Sequence, residues 1–236
     1  MTFPDHAPVN QSVERAARLL SLFSVEEPEL TLAELTSRLG TSKATAYRYA
    51  TALRRVGLLR ASRSGYTLGP RIVELAATAL AGLGIVKVAG PYLEALVAEA
   101  NETAVLSVWD GEAPVVVRVE DNTTRLVRIN VRTGSRLPLD SAQGKVFDAF
   151  LNRGADAELE HVREAGLAFN ERLVEGIATL AAPVFQGKEI VASMALVGTT
   201  AAIRDDHRSR PARQLRSSAA ALSAELGFLR PERRTA

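Results

Sequence analysis

The side chains with the clearest chemical potential in this 236-residue chain are basic. Eight cations, Arg38, Lys43, Arg48, Arg54, Arg55, Arg60, Arg63 and Arg71, fall in one stretch, and no Asp or Glu lies between Glu34 and Glu74. A one-sign block of this kind is either a solvated face or the footprint of a polyanion site, where Lys and Arg neutralise phosphates. The formal net charge is only +2, so the distribution of charge carries the information and the sum does not.

Other chemistries find less support. The absence of Cys excludes disulfides, thiolate metal sites and thiol nucleophiles. His6, His161 and His207 stand in three distant contexts, with no partner at metal-ligand spacing, so neither a metal nor another cofactor is expected. Gly144 and Lys145 lack the upstream glycine and the following Ser or Thr of a phosphate-binding loop, and no Gly-x-Ser-x-Gly elbow occurs. Acid pairs such as Glu26–Glu27 and Asp205–Asp206 read as solvated or helix-start charges. An enzyme of unfamiliar type within residues 85–230 remains an alternative.

With 47% hydrophobic and 24% charged residues the chain has a globular balance, and its length leaves room for two domains. The first 30 residues carry no basic flank followed by an apolar run, and no apolar stretch reaches the roughly 18 residues of a membrane span. A cytoplasmic protein without membrane contact is the expectation.

The elements that must position the cations can be read from caps and periodicity. Ser12 is the expected cap of a first helix with Val13, Ala16, Ala17 and Leu20 inward and Leu19 and Phe23 widening the stripe, ending near Val25. Thr31 and Glu34 form a capping box for a second helix that buries Leu32, Leu35 and Leu39. Gly40 breaks it, and Ser42 caps a third helix running to about Val56, the spacing of a helix-turn-helix. Ala46, Tyr49, Ala50 and Leu53 pack inward on that helix, which leaves Ala44, Tyr47, Arg48, Thr51 and Arg55 outward. Lys43 and Thr45 sit in its first turn, where a recognition helix meets base edges. Leu58–Arg60 and Tyr66–Leu68, joined across residues 62–65, predict a hairpin wing with a basic tip. Helical hairpins with these periods also serve as protein-contact modules, so that reading stays open.

Residues 31–35 (TLAEL), 39–48 (LGTSKATAYR), 55–59 (RVGLL) and 65–71 (GYTLGPR) closely resemble the DNA-binding half of IclR-family bacterial transcriptional regulators. The resemblance implies that the third helix enters the major groove of double-stranded DNA. Lys43, Thr45 and Arg48 would then lie nearest the bases, with Ala44 also at the DNA and Ser42, Tyr47, Arg60 and Arg63 on phosphates or the minor groove. Pro70 starts a connecting helix whose stripe of Ile72, Leu75, Ala76, Ala79 and Leu80 is either intrachain core or a dimer seam, and the family resemblance favours the seam. A homodimer on a palindromic operator, or a tetramer, is expected. The expected domains are residues 1–69 (winged helix-turn-helix), 70–84 (linker helix) and 85–236.

The last of these reads as α+β. A helix spans Val86 to Ala100, strands span Thr103–Trp109, Pro114–Val119 and Leu126–Val131, a helix spans Ser141–Leu151, strands span Ile177–Phe185 and Glu189–Val197, and a closing helix from about Asp206 to Leu226 is interrupted near its start by Pro211. Residues 102–111, 134–139 with Gly144–Lys145, 176–185 and 195–198 also resemble the IclR family, whose second domain is a GAF/PAS-like fold binding a small effector, often a carboxylate. Carried onto this chain, the effector contacts are Leu126, Ala142, Gly144, Ala182, Pro183, Ala195 and Val197. Plain core packing is an equally open reading for each, and for Trp109 as well. The chain departs from the family pattern. It is one residue shorter around Leu139–Gly144, and Asp140 stands where a His is common. Ala195 and Val197 fall where some members carry Ser, and Pro183 falls where some carry Cys. Such a wall offers fewer donors, which implies an effector less polar than glyoxylate or pyruvate, such as an aromatic or longer-chain acid.

Overall fold

The computed structural model describes residues 10–122, 129, 131–152 and 156–227. They form two units, Met1–Gly82 and Leu83–Ala236.

In the first unit, α1 (Gln11–Leu20) is capped by Asn10, whose side chain accepts from the Ser12 amide at 3.1 Å. Ser12 therefore lies inside the helix, which stops at Leu20 and not near Val25. Its buried residue is Leu19, which the expected stripe included as a widening position, while Val13, expected inward, stays 65% exposed. The capping box of α2 (Leu32–Leu39) is present: Thr31 Oγ1 accepts from the Glu34 amide at 3.2 Å, and Glu34 accepts from the Thr31 amide at 2.7 Å. Gly40, left-handed at φ 61°, ends α2. Ser42 caps α3 (Lys43–Arg55), whose Ala46, Ala50 and Leu53 are buried while Tyr49 is only half so. Leu19, Leu35, Ala50 and Leu53 meet Leu59 and Tyr66 in a common core.

The wing has three strands. β1 (Glu29–Leu30), β2 (Leu59–Ala61) and β3 (Tyr66–Leu68) pair antiparallel in the order β1-β3-β2. A two-residue strand carries no periodicity, which is why β1 escapes a pattern search. α4 (Pro70–Gly82) follows and buries none of its residues.

The second unit is built on a five-stranded antiparallel sheet. α5 (Gly84–Val88) and α6 (Gly90–Ala100) replace the single expected helix, because Pro91 enters the first turn of a new one. The strands β4 (Thr103–Trp109), β5 (Pro114–Glu120), β6 (Ala168–Asn170), β7 (Ile177–Gln186) and β8 (Glu189–Thr199) run in the order β5-β4-β8-β7-β6. α7 (Ala142–Leu151) and α8 (Ala157–Ala165) precede β6. α9 (Arg210–Glu225) is the last helix among the described residues, with Ser209 as its cap, and Pro211 starts this helix without interrupting it. Short α8 and β6 were not expected.

Helices cover both faces of the sheet. Leu93 and Leu96 of α6 and Leu215, Ala219 and Leu222 of α9 pack with Leu106, Leu180, Ala182, Met194 and Leu196. On the other face Ala142, Val146 and Ala149 of α7 and Val162 of α8 pack with Val105, Ala181, Ala195 and Val197. This is why β4, β7 and β8 read as near-continuous apolar runs without polar alternation. The expected strand at Leu126–Val131 and the candidate contact Leu126 fall outside the described residues, except for Ile129 and Val131.

Candidate nucleic-acid interface and ligand cavity

The turn of the helix-turn-helix ends on Ser42, whose Oγ accepts from the Thr45 amide at 3.2 Å and donates to Thr45 Oγ1 at 3.0 Å. These bonds fix the first turn of α3 and leave Lys43 and Ala44 exposed there. Tyr47, 54% exposed, and Arg48 follow on the outer face. Thr51, expected outward, is half-buried, and its hydroxyl oxygen has no partner among the described residues.

The wing tip is pinned from an unexpected side. Glu29 of β1 accepts from Ser62 Oγ and Ser64 Oγ, both at 2.5 Å, and from the Ser64 amide at 3.3 Å. These hydroxyl bonds lower the Glu29 pKa. Gly65 completes the turn against β1, where an added Cβ would lie 2.2 Å from the Leu30 carbonyl oxygen. Arg63 is thus carried, exposed, between two anchored serines, and Arg60 lies exposed on β2.

Within the basic block the structure separates paired from unpaired cations. Arg38 holds Glu27 with two bonds of 2.7 Å, and Arg71 holds Glu74 at 2.5 Å. Lys43, Arg48, Arg54, Arg55, Arg60 and Arg63 are exposed and make no ion pair with a described residue. The unpaired set belongs to α3 and the wing.

In the second unit a cavity of about 190 Å³ opens beneath α7. Of the candidate contacts it is lined by Ala142 and Val197, together with Val105, Gln143, Asn170 and Thr179, which the sequence reading missed. Gln143 is buried and donates to Ser107 Oγ at 2.8 Å, and Asn170 donates to the Asp140 carbonyl at 2.5 Å. The Thr179 hydroxyl makes no hydrogen bond with a described residue, and no Lys or Arg is among the described lining residues. Gly144 does not line the cavity. Its amide is taken by Ser141 Oγ at 3.0 Å, and a Cβ there would lie 2.3 Å from the Leu139 carbonyl oxygen. Ala195 is fully buried between β4 and β7, and Ala182 lies on the opposite face of the sheet. Pro183 and Ala182 line a different cleft.

His161 and His207, distant in sequence, bring their Nε2 atoms to 2.9 Å. Among the described residues no group of three or more His, Asp or Glu could hold a metal ion, and no helix is long and apolar enough to cross a membrane.

The profile of the IclR helix-turn-helix domain matches residues 12–63, and that of the bacterial transcriptional regulator IclR C-terminal domain matches residues 77–157. The chain belongs to the IclR family. It is 26% identical to the DNA-binding transcriptional repressor YiaJ of Escherichia coli, over 93% of this chain and 89% of that one. The HTH-type transcriptional regulator KipR of Bacillus subtilis is 27% identical, over 93% and 98%. A solved IclR transcriptional regulator from Alicyclobacillus acidocaldarius shares the fold at a TM-score of 0.76, with 27% identity over 93% of this chain and 100% of that one. This IclR chain is a DNA-binding transcriptional regulator and not an enzyme.

The site residues missed in this IclR chain had weak signals. Glu29 is one acid within a two-residue strand. Thr179 and Gln143 are ordinary polar residues whose facing depends on strand register and helix rotation.

Proposed function

We propose that this regulator binds a palindromic operator as a homodimer in the cytoplasm, and that a small effector in the cavity beneath α7 shifts its affinity. The observation that carries the reading is the separation of charges: within the basic block, the cations that make no ion pair with a described residue are those of α3 and the wing. α3 enters the major groove with Lys43, Ala44, Thr45 and Arg48 toward base edges, and Ser42, Tyr47, Arg60 and Arg63 hold the backbone. The exposed apolar side chains of α4, Val73 at 71%, Leu75 at 48% and Leu80 at 36%, support a seam between two copies. Leu75→Glu then shifts the chain toward monomer in analytical ultracentrifugation.

The effector is compact and weakly polar. Val105, Ala142 and Val197 supply the apolar wall, and Thr179 with Gln143 supplies hydrogen bonding. Calorimetry distinguishes the classes, with aromatic acids binding more tightly than glyoxylate or pyruvate. The effector acts only through unequal affinity for the DNA-competent and incompetent arrangements.

The test is fluorescence anisotropy with DNA from upstream of the gene, at two salt concentrations, with and without a panel of small acids. Binding that weakens with salt and shifts with one acid supports the reading. Salt-insensitive failure to bind any DNA replaces it with a protein-contact role for the helix-turn-helix.

A further inference from the structure

The sheet has an open stretch at one edge. β6 pairs only with Thr179–Ala181 of β7, and Pro183, two residues on, has no N–H for a longer partner strand. Beside the uncovered residues lies a cleft of about 310 Å³, closed by the end of α7, the end of α8 and the middle of α9. It shares no lining residue with the cavity beneath α7.

One wall is apolar. Pro183 and Ala182 adjoin Phe150 and Phe185, whose rings meet edge to face at 5.1 Å and 83°. The other wall carries two guanidinium groups. Arg163 donates to the Ala149 carbonyl at 2.5 Å and the Asn152 carbonyl at 2.9 Å and pairs with Glu160 at 2.6 Å. Arg216 donates to the His207 carbonyl at 2.9 Å and the Ala165 carbonyl at 3.4 Å, and it forms no ion pair with a described residue. Backbone oxygens thus fix the Arg216 guanidinium without neutralising it, and a guanidinium has five N–H donors to share.

A cation held still beside an aromatic wall is preorganised for a flat acid, with the carboxylate on the guanidinium and the ring against the phenylalanines. We propose that this cleft is a second small-molecule site, selective for aryl carboxylates and separate from the cavity beneath α7. The proposal does not rest on the effector assignment made for that cavity.

The test uses the full chain and benzoate, followed by calorimetry, in a Val197→Phe background that fills the cavity beneath α7. Thr179→Leu serves if Val197→Phe melts early. Benzoate is expected to bind this background saturably and more tightly than benzyl alcohol, its uncharged counterpart. Arg216→Met is expected to weaken benzoate binding by about tenfold or more. Ala220→Leu, at an exposed position on the rim, narrows the cleft while leaving Arg216 in place, and it is expected to weaken binding as well. Ala220→Leu alone decides should Arg216→Met fail to fold. Loss of benzoate binding in the cavity-filled background, equal affinity for benzyl alcohol, or unchanged affinity in either folded cleft variant overturns the proposal.

Discussion

Arg38 grips Glu27 through two N–H···O bonds of 2.7 Å, and this pair withdraws the first cation of the basic block from the DNA-facing set. The Arg38 bond, and then its charge, lower the Glu27 pKa. Arg38→Ala is therefore expected to leave operator affinity within about twofold and the salt slope unchanged, whereas Arg63→Ala lowers that slope by about one and weakens all sequences alike. Anisotropy titrations across a salt series measure both. Equal slopes for the two variants would sink the distinction between paired and unpaired cations.

Arg48 lies exposed just past the first turn of α3 with no acidic partner among the described residues, on the face proposed to meet base edges. Arg48→Ala is expected to reduce discrimination between operator and random DNA by about 1–3 kcal/mol. A loss shared equally by both DNAs would reassign Arg48 to the phosphates.

Glu29 pins the wing only while ionised, since its carboxylate accepts from Ser62 and Ser64. Its folded pKa lies below the ordinary 4.5. Its contribution to stability is thus complete above the unfolded value and disappears as pH falls through the depressed folded one. In acid titrations followed by thermal melting, Glu29→Gln should melt lower than the native chain at neutral pH. The two should converge in acid, below the folded pKa.

Gly144 supports the turn into α7 through close backbone packing on Leu139. Gly144→Ala is expected to destabilise the second unit by about 1–3 kcal/mol, seen as a lower urea midpoint. If stability is unchanged and effector binding alone is lost, Gly144 is a ligand contact after all.

Thr179 offers the cavity beneath α7 a hydroxyl that makes no hydrogen bond with a described residue. Thr179→Val keeps the shape and removes that group, and it is expected to weaken the effector by about fivefold to tenfold. A variant as responsive to effector as the native chain would exclude a hydrogen bond there.

Local rules carried much of this molecule. The Thr31–Glu34 box, the Gly40 stop and the Ser42 cap involve atoms at most a few residues apart, so type and spacing suffice to predict them, and the acid-free run is visible without any fold. The strands Thr103–Trp109 and Ile177–Gln186 announce themselves by apolar content. Facing is another matter. Because both sides of the sheet are buried, hydrophobicity does not alternate along β7, and nothing local says that Ala182 faces α9 while Thr179 and Val197 face α7. The candidate contacts consequently divide between two cavities and the core. Glu29 bonding the wing serines and Glu27 removing Arg38 join residues far apart in sequence, and only the folded chain brings such charges and hydroxyls within bonding distance. The sequence by itself determined the helix-turn-helix, the basic stretch and the α+β class. The tertiary structure decided which cations stay unpaired and which side chains share a cavity, because both depend on contacts that chain order does not encode locally.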